Sequence, residues 1–172
     1  HLAGLNRHDD PKFLYNKNIE LSQKILDSIK RVGFNGHLIF ASSTQENDNN
    51  TYGNAKKMSR NLFDVESKKI GYNFTGLIIP NVFGPFTKPN YNSFIATFCY
   101  NSTRDIENII IEDNKVSLIY VDSLINKIIE TFSAQPKARL QVSDETTITV
   151  SNVKNLIEEF KYSYLINGTI PK

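Results

Sequence analysis

Short apolar runs alternate with longer helix-period segments along this chain, and that alternation constrains the fold more than any other feature. Gly76–Ile79 is an unbroken run of strand length, and Leu38, Ile39 and Phe40 form another. A strand with no polar alternation needs cover on both faces, which is the environment of a parallel sheet. Before the first run, Phe13, Leu14, Leu21, Ile25, Leu26, Ile29 and Val32 recur at three-to-four spacing, and Gly33 suits a C-terminal cap. The pattern predicts a helix over 11–33 and a buried strand over 37–42. A second helix is expected over 52–70, with Leu62, Phe63 and Val65 turned inward and Gly71 near its end. Residues 80–92, rich in Pro, Asn and Gly, read as a loop. A helix over 93–104, a strand over 116–121 and a helix over 122–133 follow. One or two short strands lie within 139–150, and a last helix (Val153, Leu156, Ile157, Phe160) is capped by Ser151. Strand and helix alternate, so the expected fold is α/β, a parallel sheet flanked by helices.

Length and charge narrow the functional classes. The 172 residues suit one domain with a substantial core, and no linker is long enough to divide it. A net charge of +2 gives no footprint for nucleic acid and no polybasic patch for a membrane surface. No apolar run reaches membrane-spanning length. The single cysteine, Cys99, cannot form an internal disulfide, and it reads as a small buried hydrophobe of a protein in a reducing compartment, so a cytoplasmic location is expected. His1, His8 and His37 have no metal-ligand spacing, and no metal is expected.

The chemistry is concentrated after the first strand. Ser43 ends the strand, a polar loop over 45–51 follows, and Tyr52 and Lys56 open the next helix. A four-residue step puts Tyr52 and Lys56 on one helical face, one turn apart. An ammonium there favours the phenolate and is expected to lower the Tyr52 pKa towards working pH. Tyr52 then serves as a proton donor or acceptor beside a carbonyl or alcohol, with Ser43 bonded to the reacting oxygen. The spacing by itself also fits an exposed Tyr and Lys on an ordinary amphipathic helix.

In order along the chain, further segments match a known pattern: His1-Leu2-Ala3-Gly4, Asn18-Ile19-Glu20-Leu21-Ser22, Phe40-Ala41-Ser42-Ser43, Tyr52-Gly53-Asn54-Ala55-Lys56, Pro80-Asn81-Val82-Phe83-Gly84-Pro85 and Tyr120-Val121-Asp122. Together they resemble the extended short-chain dehydrogenase/reductase family, the sugar-nucleotide epimerases, dehydratases and reductases. Lys88–Ser93, running into Ile95–Tyr100, resembles a narrower branch, the capsular polysaccharide reductases that carry a C-terminal cupin domain. The short Ser-to-Tyr loop and the tail from Leu156 to Lys172 are similar to that branch as well.

The resemblance implies a Rossmann-like fold with a small C-terminal substrate lobe. It implies NADPH-dependent reduction of a UDP-linked 4-keto-6-deoxy-hexosamine for surface polysaccharide, with NADP(H), or else NAD(H), as cofactor and a homodimer as one assembly. Tyr52 would protonate the C4 oxygen, Lys56 would hold the nicotinamide ribose, and Ser43 would position the carbonyl. Asn18 would help hold the lysine in a proton relay, or else is a polar residue on an exposed helix face. Pro80, Asn81 and Val82 would lie beside nicotinamide and sugar, at the carboxyl end of a strand. Lys88, Asn90 and Asn92, together with Asn81, would face the UDP-sugar, or else belong to a solvated loop. Phe94, Phe98 and Tyr100 read as core rather than as a base platform.

The sequence also departs from the pattern. Ala41 replaces a serine, Ile78 stands where the branch has arginine, Ser123 replaces an aspartate, and Pro85-Phe86 replaces a basic-aromatic pair. The family's glycine-rich loop and the branch's cupin are not among residues 1–172. The expectation is therefore a C-terminal part of a reductase domain that is inactive alone. Alternatives within the family are a 4-epimerase or a 4,6-dehydratase. Glu46 is the one acid after Ser43, where a dehydratase has an adjacent acidic pair. A non-catalytic remnant or assembly module is the alternative from another class.

Overall fold

The computed structural model of the chain describes residues 1–169, so the end of the Leu156–Lys172 segment, residues 170–172, lies outside the described residues. The described residues form two compact units. The first comprises 1–80 and 125–143, and the second 81–124 and 144–169.

The first unit carries helix α1 (Pro11–Val32), strand β1 (His37–Ser43), helix α2 (Thr51–Ile70), strand β2 (Asn73–Ile79), most of helix α4 (Val121–Ser133) and the short strand β5 (Leu140–Gln141). Its sheet runs β1-β2-β5 and is parallel throughout. Register pairs His37 with Asn73 and Ser43 with Ile79, so β2 begins three residues earlier than its apolar run. Thr75 is held by a bond of 2.9 Å to the His37 imidazole, which a purely apolar reading of strand β2 overlooks. The His1 nitrogen donates to Ile39 O at 2.7 Å and its carbonyl accepts from Ala41 N, which lays residue 1 along β1.

Both long helices start and stop where their caps dictate. Asp10 accepts from Lys12 N–H ahead of Pro11, and Asn50 accepts from Gly53 N–H at 2.7 Å. Gly33 and Gly71 end the helices at positive φ. Leu26 and Ile29 from α1, Phe63 from α2, Phe40 from β1 and Phe74 from β2 form one buried cluster with Tyr72. Phe13, Val32 and Val65, expected inward, are exposed. On α2 the buried stripe is instead Ala55, Lys56, Ser59, Arg60, Phe63 and Ser67. A helix face can be buried through small and paired polar residues as well as apolar ones, and a hydrophobicity pattern does not register them.

The second unit holds strand β3 (Asn81–Phe83), helix α3 (Phe94–Ser102), strand β4 (Lys115–Tyr120), strand β6 (Thr146–Thr149) and helix α5 (Val150–Lys161). β3 pairs with β4 in parallel, and β4 with β6 antiparallel, so the parallel reading holds for the first sheet and the second is mixed. β3 occupies part of the expected 80–92 loop. α3 ends at Ser102 rather than 104, and Thr149 rather than Ser151 caps α5, with Ser151 bonded to Asp113. Phe98 is buried as expected, but Cys99 on the same helix is exposed. α3 packs with α5, and Cys99 lines an open apolar pocket there with Ile157 and Phe160.

Phe63 is fully buried within the aromatic cluster. Phe63→Ala is expected to lower unfolding free energy by about 3–5 kcal/mol. Met58→Ala, half-exposed on the same helix, is expected to change it by less than about 1 kcal/mol. Urea unfolding followed by circular dichroism measures both.

Candidate active site

The end of β1 sets the site. Ser42 and Ser43 leave the strand in succession, and residues 44–47 form one turn of 3₁₀ helix. The Ser42 hydroxyl is buried and donates to the Glu46 carboxylate. The Ser43 Oγ accepts from Gln45 N–H at 3.2 Å, which leaves its own proton for another acceptor. Of the two hydroxyls, Ser43 is therefore the one able to bond a reacting oxygen.

α2 begins against this turn. A Cβ on Gly53 would lie 1.8 Å from Gln45 O, so only glycine lets the first helical turn sit this close. Asn50 Nδ2 also donates to Gln45 Oε1 at 3.3 Å. The helix presents Tyr52 and Lys56 one turn apart. Lys56 Nζ lies 5.9 Å from the Tyr52 ring centroid and 4.6 Å over the Phe40 ring, and the residue is only 4% exposed. Lys57 is exposed.

Burial lowers the Lys56 pKa to about 8, with the nearby Glu46 charge acting in the opposite direction. Tyr52 does not follow the expectation from spacing. Burial raises its pKa, because the phenolate is desolvated.

Asn18 belongs to the same neighbourhood. Its Nδ2 donates to Leu5 O and Leu14 O at 2.9 and 3.0 Å, and its Oδ1 accepts from Leu5 N–H at 3.0 Å. A Cβ on Gly4 would lie 3.1 Å from Asn18 Oδ1 and 3.5 Å from Lys56 Nζ, so residue 4 lies beside both groups. Asn18 is buried, which removes the exposed-face reading, and its bonds fasten the 4–5 segment beside the lysine. Pro80 is buried directly after β2.

The remaining candidates are in the second unit. Asn81 is exposed in β3 opposite Leu118, and its Nδ2 donates to Ser117 O at 3.3 Å. Val82 is exposed opposite Ile119. Lys88 lies 5.8 Å over the Tyr91 ring. Asn90 adopts positive φ, and its N–H donates to Thr97 Oγ1 at 2.9 Å. Asn92 is exposed. Ile78, where the branch has arginine, is fully buried in β2, and Ser123 donates to Glu145, which also accepts from Tyr120 N–H.

Sequence reasoning missed the Arg60–Glu46 pair, in which Arg60 Nε and Nη2 contact Glu46 at 2.9–3.1 Å. Both residues are buried. The two lie fourteen positions apart on different elements, and no periodicity links them. The one available signal was an arginine at the Lys56+4 position of the same helical face.

Residues 2–137 match the NAD dependent epimerase/dehydratase family. The chain belongs to that family. Over 166 residues it is 31% identical to a UDP-2-acetamido-2,6-beta-L-arabino-hexul-4-ose reductase of Pseudomonas aeruginosa, covering 95% of this chain and 45% of the relative. The capsular polysaccharide assembling protein CapF of Staphylococcus aureus has a similar structure, with TM-score 0.76 and 30% identity over 88% of this chain and 43% of that one. A UDP-N-acetylglucosamine 4-epimerase from Methanobrevibacter ruminantium M1, solved with UDP-N-acetylmuramic acid, gives TM-score 0.84 over 95% of this chain and 60% of its own, at 22% identity. That likeness concerns the fold. This member of the epimerase/dehydratase family thus spans 45% of the curated relative it matches.

A buried ammonium is costly to the fold. Below about pH 8, Lys56 is charged in the folded and unfolded states and the full cost is present. As pH rises towards 10.5 the folded state gives up its proton first, and the cost disappears. Lys56→Met is therefore expected to raise unfolding free energy at pH 7 by about 1–3 kcal/mol, with the gain shrinking between about pH 8 and 10.5. Urea unfolding at several pH values measures it. Gly53→Ala, which forces α2 off the 44–47 turn, is expected to destabilise at every pH.

Proposed function

We propose that this chain carries the catalytic residues of an NAD(P)-dependent reductase acting on a UDP-linked 4-keto-6-deoxy-hexosamine, in the synthesis of a capsular or other surface polysaccharide. The observation that carries the reading is Lys56, buried over aromatic rings beside Tyr52 at a cost in stability. A residue that penalises the fold through desolvation, next to a proton-bearing side chain, is the pattern of a functional site. The reductase at 31% identity and the CapF likeness at 30% support the substrate class.

The residues suit a nicotinamide cofactor. Among the described residues Lys56 forms no ion pair, since Glu46 is taken by Arg60, so its N–H donors remain for an oxygen-rich group such as ribose hydroxyls. When bound, the cofactor would supply hydride. Tyr52, kept protonated by burial, would donate its proton to the C4 oxygen. Ser43 would hold that oxygen by donating its free hydroxyl proton. Asn18 keeps the 4–5 segment beside Lys56. Asn81, Lys88, Asn90 and Asn92 would meet the UDP-sugar, and Pro80 and Val82 the nicotinamide side. NADP(H) is proposed over NAD(H). The location proposed is cytoplasmic, and no helix among the described residues is long and apolar enough to cross a membrane. A homodimer is proposed through α1 and α2, where Val32, Met58 and Val65 are exposed.

Elimination is disfavoured. A dehydratase needs a free acid after the strand, and the Glu46 carboxylate is engaged by Ser42 and Arg60.

In the protein that carries this chain, Tyr52→Phe is expected to lower kcat for reduction of a UDP-4-keto-6-deoxy-hexosamine by about 10²–10⁴-fold. Lys56→Met is expected to do similar damage, and Lys57→Met to leave kcat within about two-fold. Equal effects of the two lysine changes would show the site assignment to be wrong. Oxidation of NADPH, followed at its near-ultraviolet absorbance, is the assay.

A further inference from the structure

We propose that the buried Glu46–Arg60 pair is the positioning pair of this site, clamping the turn that follows Ser43 against the helix that carries Tyr52 and Lys56. The inference rests on the reading of Ser43, Tyr52 and Lys56 as one catalytic set.

Three features converge on it. Glu46 is 4% exposed, accepts from Arg60 Nε and Nη2 at 2.9–3.1 Å and also accepts from Ser42. A carboxylate engaged in this way acts through its neighbours and not on a substrate. Arg60 is four residues after Lys56 on α2, so the pair fixes the rotation of that helix about its axis. Its stem crosses β2 where a Cβ on Gly76 would lie 2.5 Å from Arg60 Cδ, and its Nη1 donates to Ala138 O at 3.2 Å. Glu46 belongs to the same turn as Gln45, whose N–H holds Ser43 Oγ and whose carbonyl meets Gly53. Moving Glu46 therefore moves Ser43 relative to Tyr52.

The charged and titratable groups around Lys56 are Glu46 from the turn, Tyr52 and Arg60 from α2, and the His1 amino group from the segment along β1. Glu46 is the carboxylate among them, and it holds the ammonium in its protonated form against desolvation.

The test is NMR titration of Lys56 in this chain, on lysine-labelled protein with the signal assigned through Lys56→Met. Glu46→Gln is expected to lower the Lys56 midpoint by about one pH unit. It is also expected to speed amide exchange at Gln45 and Gly53 about ten-fold, with α1 amides unchanged. The double variant Glu46→Gln/Arg60→Met leaves no unpaired buried charge, so it is expected to fold, to show the same faster exchange at Gln45 and Gly53, and to have a midpoint between those of Glu46→Gln and wild type, because the Arg60 cation is lost as well. A folded double variant with the wild-type midpoint and wild-type protection at Gln45 and Gly53 overturns the proposal. So does a double variant that fails to fold, because the pair is then a folding element. None of these readouts involves turnover. If the midpoint moves but Tyr52→Phe leaves reduction intact, the catalytic reading fails and the pair stands. If Tyr52→Phe abolishes reduction and the midpoint is fixed, the pair alone fails.

Discussion

The ion pair between Glu46 and Arg60 is the interaction on which the first unit depends. It joins the turn after β1 to the middle of α2, crosses β2 at Gly76 and reaches the segment before β5 through Ala138. Taking two charges out of water is unfavourable, and the pair is tolerated because its geometry is two-pronged and the Ser42 hydroxyl donates to a further lone pair of Glu46. Removing one partner alone would leave a buried charge, a loss of about 3–5 kcal/mol in comparable cases. Such a pair adds little net stability over an apolar substitute, but it permits one arrangement of the surrounding elements and few others.

That arrangement brings an unfavourable group next to it. Lys56 is buried over Phe40 and beside Tyr52, and its ammonium is desolvated enough to bring its pKa down to about 8. Packing alone would favour an apolar side chain at this position. The same desolvation keeps the Tyr52 phenol protonated, which suits a group that gives a proton to a carbonyl oxygen at its reduction. Spacing suggested that the lysine would make Tyr52 more acidic. In the folded chain burial dominates at both residues, raising the Tyr52 pKa and lowering that of Lys56, so the phenol stays protonated while the ammonium becomes the more acidic of the two.

The second unit is built differently. Its mixed sheet holds Asn81 and Val82 on β3, and its exposed loop holds Lys88, Asn90 and Asn92. Phe86 and Asn90 both adopt positive φ there, a conformation uncommon for a bulky side chain and commoner for asparagine. Thr97 fixes the Asn90 backbone, so the loop is tied to the start of α3 even where its side chains are exposed. Exposed polar side chains on a tethered loop suit recognition of a polar ligand better than they suit stability.

Local pattern was enough for much of this protein. The bounds of α1 and α2 were legible because caps and glycines are local signals, and the position of β1 and the end of β2 because a strand covered on both faces must be apolar. The order of Ser43, Tyr52 and Lys56 was legible because a helical step of four is fixed by geometry. Other features are decided only in three dimensions. Val65 is exposed on α2 while Ser59 and Arg60 are buried there, and the partner that lets Arg60 be buried comes from a turn fourteen residues away. Cys99 is exposed because the packing of α5 on α3 leaves an open apolar pocket beside it. Thr149 rather than Ser151 caps α5 because Asp113 claims Ser151. The sequence by itself determined which residues can carry the chemistry and on which elements they sit. Only the tertiary structure decided how much water each keeps, and desolvation, which depends on everything packed around a group, sets the charge state of Lys56 and Tyr52.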